Sequence, residues 1–325
     1  MKALVCREHG LPDALDLVAD WPTPEIGPSE VLIGVKAAGL NFPDVLIIQG
    51  KYQMQPDLPF IPGGECAGIV EAVGSDVTRW KVGDEVIHSA GSGSFCAQVV
   101  AHEMAVLPKP AALSFEAAAG VSITYLTSYH ALVQRAQIQP GETLLVLGAA
   151  GGVGSTAVEL GKALGATVIA AASSDDKLAL CQELGADHTI NYSTESLKDR
   201  VKALTGGKGV DVVYDPVGGD FSEPAVRSMG WNGRYLVIGF ASGPIPSIPL
   251  NLTLLKGCAI VGVFWGRFTM EEPETHQANI KTLWQWFEEG KIKPVITDLF
   301  PIEEYEAAYA AMMERRAKGK VILTL

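Results

Sequence analysis

A run of four apolar residues, Leu144-Leu145-Val146-Leu147, leads straight into Gly148-Ala149-Ala150-Gly151-Gly152-Val153-Gly154, and a helix-compatible stretch follows over 155–164. A buried strand that turns at once into a helix through closely spaced glycines constrains a chain strongly. It demands a tight turn, a backbone that another group can approach without meeting a Cβ, and a helix packed close on its own strand. Backbone N–H groups at the start of such a helix present the positive end of its dipole, a ready seat for phosphate. The glycines at 148, 151 and 154 stand three apart, where the usual dinucleotide fingerprint is G-x-G-x-x-G, but the physical demands are kept. Strand-like runs at 167–171, 188–191, 210–214 and 234–238 follow, separated by helix-like stretches or turns, and 259–264 can supply a sixth. This alternation predicts βαβ units and a doubly wound parallel sheet, an α/β fold.

The second strand ends near Ala172, about 20 residues after the glycines, where an NAD-binding chain places an acid against the adenosine ribose. The residues there are Ala172-Ser173-Ser174-Asp175-Asp176-Lys177. Hydroxyls at Ser173 and Ser174 and the ammonium of Lys177 suit a ribose 2′-phosphate. Asp175 and Asp176 then read as acids at the start of the next helix, favourable with its dipole. This reading predicts NADPH. The rival reading makes Asp175 the ribose ligand and the cofactor NADH.

The first ~120 residues have a different texture, with short strand-like runs at 31–35, 66–73 and 85–88 between Gly-Pro, Pro-Gly-Gly and Val-Gly-Asp turns. They predict a partly open β-barrel. Ser114 ahead of Glu116-Ala117-Ala118-Ala119 reads as a helix cap. Beyond the alternating region, 275–289 and 303–315 have helical spacing, and 321–325 reads as a closing strand. The 325 residues give room for about two domains, with cores that need neither disulfide nor structural metal.

Charge narrows the partners. Lys and Arg number 25 against 37 Asp and Glu, a net charge of −12, and the sequence pI is about 5.0. So acidic a chain is a poor binder of a phosphate backbone, which argues against nucleic acid but leaves room for a local basic pocket around one phosphorylated cofactor. Mean hydropathy is +0.21, yet no apolar run approaches the roughly 18 residues of a membrane-spanning helix. The opening Met1-Lys2-Ala3-Leu4-Val5 reaches Arg7, Glu8 and His9 with no apolar signal region. Cys6, Cys66, Cys96, Cys181 and Cys258 are scattered without a C-x-x-C pair, as buried thiols in a reducing compartment are. The expected location is cytoplasmic.

Several strings join the glycine loop: Ala38-Gly39-Leu40-Asn41-Phe42-Pro43-Asp44, Ile48-Gln49-Gly50-Lys51-Tyr52, Pro62-Gly63-Gly64-Glu65-Cys66-Ala67-Gly68, Val82-Gly83-Asp84-Glu85-Val86 and Gly319-Lys320-Val321-Ile322-Leu323. In this order, spanning nearly the whole chain, they resemble the medium-chain dehydrogenase/reductase superfamily, in its zinc-free quinone oxidoreductase (zeta-crystallin-like) branch. The resemblance implies a GroES-like β-barrel catalytic domain over 1–123 and a Rossmann NADPH-binding domain over 124–264. It also implies that 265–325 completes the catalytic domain, with the active site in the interdomain cleft. Zinc-dependent alcohol dehydrogenases of the superfamily carry a Cys in the first string and a His-Glu pair in the third. Asn41 and Gly64 stand there instead and the four-cysteine lobe is missing, so no metal is expected. Glu65 then reads as a buried acid held by hydrogen bonds, and His88 and His102 as structural or surface residues.

Carried over residue by residue, the resemblance implies that Ala150, Gly151, Gly152 and Val153 hold the pyrophosphate and that Ser173 with Lys177 holds the 2′-phosphate. Tyr192 covers the adenosine phosphate end, and Gly218 falls on a further cofactor position. The turn Gly239-Phe240-Ala241-Ser242 flanks the nicotinamide half, Phe264 and Trp265 contact the carboxamide, and Thr127 touches the nicotinamide ribose region. Hydride transfer to a quinone or conjugated enone needs positioning above all, helped by a donor to the developing oxyanion. Asn41 and Tyr52 are the candidate catalytic donors. The string ending in Tyr52 is also similar to the stretch that carries the active-site tyrosine in mitochondrial enoyl-thioester reductases, so an enoyl-CoA or enoyl-ACP substrate is a second reading. A non-catalytic, crystallin-like NADPH-binding protein is a third. The apolar run 258–264 at a sheet edge predicts a homodimer through that strand.

Overall fold

The 325 residues, all of which this computed structural model describes, fall into two units, each with its own buried apolar interior. One unit comprises Met1–Ile123 and Pro294–Leu325, the other Thr124–Lys293. In the first, β1 (Ala3–Cys6) and β2 (Leu15–Val18) form an antiparallel pair. β3 (Glu30–Leu40) is the organising strand, pairing antiparallel with β4 (Glu65–Val73) and, through its first half, with β6 (Gln98–His102). β5 (Glu85–Ser89) continues the sheet from β4 to β7 (Val106–Pro108). Val31, Ile33 and Val35 point from β3 into a core with Val70, Val86 and Phe95, the period-two burial of a strand with one covered face.

The second unit is a six-stranded parallel sheet of β8 (Thr143–Leu147), β9 (Thr167–Ala172), β10 (His188–Asn191), β11 (Val210–Asp215), β12 (Met229–Val237) and β13 (Ala259–Gly262). Their order is β10-β9-β8-β11-β12-β13, so the chain runs outward to one side of β8 and then returns to build the other. That is the doubly wound Rossmann arrangement. Leu144 to Leu147 are completely buried, as a central strand covered on both faces requires.

The chain then returns to the first unit. β14 (Ile296–Pro301) pairs parallel with β15 (Lys320–Thr324), and β15 lies antiparallel against the end of β3, Val321 opposite Leu40. The closing strand expected at 321–325 is therefore an interior strand of a sheet begun near the N-terminus.

The division between units falls after Lys293, not after Phe264 as the family pattern implies. The helix Pro273–Glu288 buries Asn279, Ile280, Leu283 and Phe287, and this stripe packs within the second unit. The Phe287 ring meets Tyr125 edge-on at 5.0 Å. Asn279 and Gln134 exchange amide hydrogen bonds at 2.9 and 3.1 Å, and the Lys293 N–H donates to Glu159 at 2.6 Å. Other boundaries shift less. β12 begins at Met229 because its first residues pair with the start of β11 across a register shift. β13 stops at Gly262 because Phe264 caps the helix Trp265–Glu271. No helix is long and apolar enough to cross a membrane.

Candidate functional site

Apart from Thr127, every expected cofactor residue of the second unit follows the C-terminal end of a strand. Residues 150–153 follow β8, Ser173 and Lys177 follow β9, Tyr192 follows β10, Gly218 follows β11, 239–242 follow β12, and Phe264 and Trp265 follow β13. Parallel strands share one such edge, and the reversal of order at β8 is where an open α/β sheet takes a nucleotide. Thr127 lies half-buried on the helix Ser122–Tyr129.

Gly151 caps the helix Gly152–Ala163 in an extended conformation, and the N–H groups of that helix's first turn have no acceptor within it. A Cβ on Gly154 would overlap the Gly148 carbonyl oxygen, so glycine is what lets strand and helix close. The loop fits a pyrophosphate. At the end of β9 the Lys177 Nζ lies 3.4 Å from the Ser173 hydroxyl. The Ser174 hydroxyl accepts from the Lys177 N–H at 3.4 Å as a helix cap, leaving Ser173 as the hydroxyl beside the ammonium. Asp175 accepts from the Asn191 side-chain amide at 2.8 Å.

Past β11, the Asp215 carboxylate works as a hub that the sequence reading does not single out. It is buried and accepts from the Val217 N–H (2.7 Å), the Gly218 N–H (2.8 Å), the Ser222 hydroxyl (3.0 Å) and the Tyr235 hydroxyl. The signal for it is an acid directly after the apolar run Val212-Val213-Tyr214, since such a carboxylate survives burial only with several donors. The turn after β12 zips onto this loop, the Ala241 N–H bonding Pro216 O (3.0 Å) and the Ser242 N–H bonding Val217 O (2.8 Å). A Cβ on Gly218 would meet the Phe240 ring at 2.8 Å, so the phenyl lies directly over the glycine. Tyr192 packs on Phe221 with centroids 4.4 Å apart. Phe264 is 52% exposed, and the Trp265 indole N–H is buried without an acceptor.

The first unit carries Asn41, Asp44, Tyr52 and Glu65. Asn41 caps the helix Phe42–Ile48 in a capping box with Asp44, its N–H donating to Asp44 Oδ2 at 2.7 Å. Its Nδ2 donates to Glu65 Oε1 (2.9 Å) and Gly39 O (3.2 Å), so protein acceptors take both amide hydrogens. Glu65 also accepts the Ile123 N–H at 3.0 Å and pairs with Lys320 at 2.7 Å. The sequence reading leaves Lys320 without a role, yet a buried acid requires a cation or several donors, and that need is the signal for it. Tyr52 is half-buried. Burial first, and the charge of Asp44 second, push its phenol up, so it keeps its proton through neutral pH.

Burial pushes the Asp44 carboxyl up to about 7, against the lowering pull of the Asn41 N–H and the Lys320 ammonium. Between about pH 4 and pH 7 the folded protein holds a proton that the unfolded chain has released, so this site costs stability as pH rises through that window. Asp44→Asn keeps an oxygen for the Asn41 N–H and removes the titration. Urea midpoints should therefore fall less steeply with pH in the variant, and an unchanged slope counts against the assignment.

Both units match known families. The alcohol dehydrogenase GroES-like domain family matches residues 27–137, and the family described as zinc-binding dehydrogenase matches 152–289. In this chain no group of three or more His, Cys, Asp or Glu side chains could hold a metal ion. The chain belongs to the medium-chain dehydrogenase/reductase family, in its zinc-free quinone oxidoreductase branch. It is 38% identical over 324 residues to the quinone oxidoreductase-like protein 2 homolog of Nematostella vectensis, covering 99% of this chain and 88% of that one. The structure of Escherichia coli quinone oxidoreductase complexed with NADPH matches with a TM-score of 0.92 at 31% identity, covering 100% of both chains. That of the CurK enoyl reductase matches with a TM-score of 0.88 at 30% identity, covering 99% of this chain and 98% of that one.

Proposed function

We propose that this protein is an NADPH-dependent oxidoreductase that delivers hydride to a quinone or conjugated enone without a metal. The observation that carries this reading is the Lys177 ammonium beside the Ser173 hydroxyl, on the sheet edge that bears the glycine loop, with Asp175 engaged by Asn191. Such a pair suits a doubly charged 2′-phosphate and offers no ready carboxylate to a bare ribose. The Escherichia coli relative's complex with NADPH supports the same cofactor. Residues 150–153 would hold the pyrophosphate, Tyr192 and Gly218 the adenosine side, and Thr127, 239–242, Phe264 and Trp265 the nicotinamide side. NADPH, when bound, supplies the hydride. The chain's part is to bind, to orient and to provide the proton, and Tyr52 gives that proton to the substrate as negative charge develops. Asn41 contributes the fixed place of its amide rather than a free N–H.

The similarity of the string ending in Tyr52 to enoyl-thioester reductases, together with the likeness to CurK enoyl reductase, favours enoyl thioesters as a second substrate class. One assay decides among these readings: NADPH and NADH oxidation against a simple quinone, an enone and an enoyl thioester. NADPH turnover well above NADH turnover supports the reading. Equal rates count against the 2′-phosphate site, and NADPH binding without turnover on any substrate leaves a non-catalytic NADPH-binding protein. The cysteines are all unpaired, four of them buried, which supports a reducing, cytoplasmic setting.

A homodimer through β13 belongs to the same proposal. Ile260 is 39% exposed on this edge strand, and Leu250 and Leu254, just before it, are 77% and 80% exposed. An unpaired apolar edge invites a second copy, and two-fold pairing closes the assembly. The Val263 N–H bonds Val237 O, so strand alternation turns the Ile260 N–H to the open side. Sedimentation at micromolar concentration should give twice the 34.4 kDa chain mass, and Ile260→Pro should return the chain to monomer. A wild-type monomer would end the idea.

A further inference from the structure

The last strand of the first unit carries a cation into its core. Lys320 and Glu65 are both buried. The Lys320 Nζ lies 2.7 Å from Glu65 Oε1, 3.0 Å from Leu40 O and 2.5 Å from Asn41 Oδ1, so three N–H donors meet three acceptors. Two glycines clear the slot for its stem. A Cβ on Gly39 would meet Lys320 Cε at 2.9 Å, and one on Gly120 would meet Lys320 Cγ at 2.7 Å. The register of β15 on β3, with Val321 opposite Leu40, sets the lysine beside Asn41.

The Asn41 amide is thereby clamped at both ends, its oxygen by Lys320 and its nitrogen by Glu65. The same residue starts the helix Phe42–Ile48 through its bond to Asp44. That helix ends in a turn where the Lys51 N–H bonds Leu46 O at 2.9 Å, and Tyr52 follows. A chain of fixed contacts therefore runs from the C-terminal strand to the residue before Tyr52, whose ring packs on the core of the first unit.

We propose that Lys320 is a positioning residue: its ammonium fixes the Asn41 amide and, through the helix Phe42–Ile48, the place of Tyr52. Its effect on rate rests on the reading of Tyr52 as proton donor. A purely structural pairing of Glu65 makes a different prediction. Lys320→Met alone would strand the buried Glu65 carboxylate, so it is combined with Glu65→Gln, which removes both charges.

In that double variant, amide hydrogen exchange over 41–52 should rise at least about tenfold, with the second unit's exchange and NADPH affinity unchanged. The kcat with a quinone should fall at least about tenfold, as misplacement of a reacting group does. Wild-type exchange over 41–52 overturns the proposal whatever the rate does, and so does a wild-type kcat. Lys320→Arg serves if the double variant does not fold. It keeps the charge opposite Glu65 but brings a planar fork to a slot shaped for an unbranched stem. The same loosening is expected there, and its absence is equally fatal. If 41–52 loosens while the wild-type protein reduces no substrate, the positioning role stands and the proposed reaction falls.

Discussion

Tyr52→Phe is expected to lower kcat with a quinone about 100-fold, the lower end of what general acid catalysis contributes, with melting temperature and NADPH affinity nearly unchanged. The ring and its hydroxyl have separate roles. The half-buried ring packs against the apolar core of the first unit, and phenylalanine keeps that contact. The hydroxyl is what the substitution removes, and burial together with the Asp44 charge holds its proton in place at working pH. Steady-state rates with a quinone and with an enoyl thioester, beside a thermal melt, check this. Unaltered rates with both substrates would make Tyr52 a packing residue.

Lys177→Ala is expected to raise the Kd for NADPH roughly 10- to 100-fold, the worth of about one hydrogen bond to a charged group. NADH binding should hardly change. Lys177 and Ser173 are both half-buried, so added salt should narrow the wild-type preference for NADPH by screening. Fluorescence titrations of both cofactors at two salt concentrations give the comparison. Equal losses for NADPH and NADH would remove the 2′-phosphate argument, because a general disturbance of the β9 turn would weaken both.

The parallel sheet is legible in the sequence because its signals are local. Four consecutive apolar residues become β8, glycines mark the turn that follows, and the run 188–191 is β10 from end to end. The place of 265–293 is not legible in the same way. Helical spacing says that Ile280, Leu283 and Phe287 share a buried stripe, but not which core receives it, and here the receiver is the helix bearing Tyr125. The candidate site divides along the same line. Ser173 and Lys177 are four residues apart across a helix start that Ser174 caps, so their meeting is a local matter. Glu65 and Lys320 meet only because β15 docks on the end of β3 while β4 lies on its other side. Asp215 is hard to single out because its donors are spread over the turn at 217–218, Ser222 and, on the neighbouring strand, Tyr235.

The insertion of one unit inside the other also sets an order of assembly. The second unit is continuous, Thr124–Lys293, whereas the first needs Pro294–Leu325 to finish its sheet. In a growing chain the strands made earliest are therefore completed last. Until β15 arrives, the end of β3 offers an open ladder from Ala37 to Leu40, and Glu65 lies without its cation. Such an edge on a nascent chain can pair with any passing strand. Between synthesis of β3 and arrival of β15, this ladder is thus the edge that the finished fold protects and the growing chain does not.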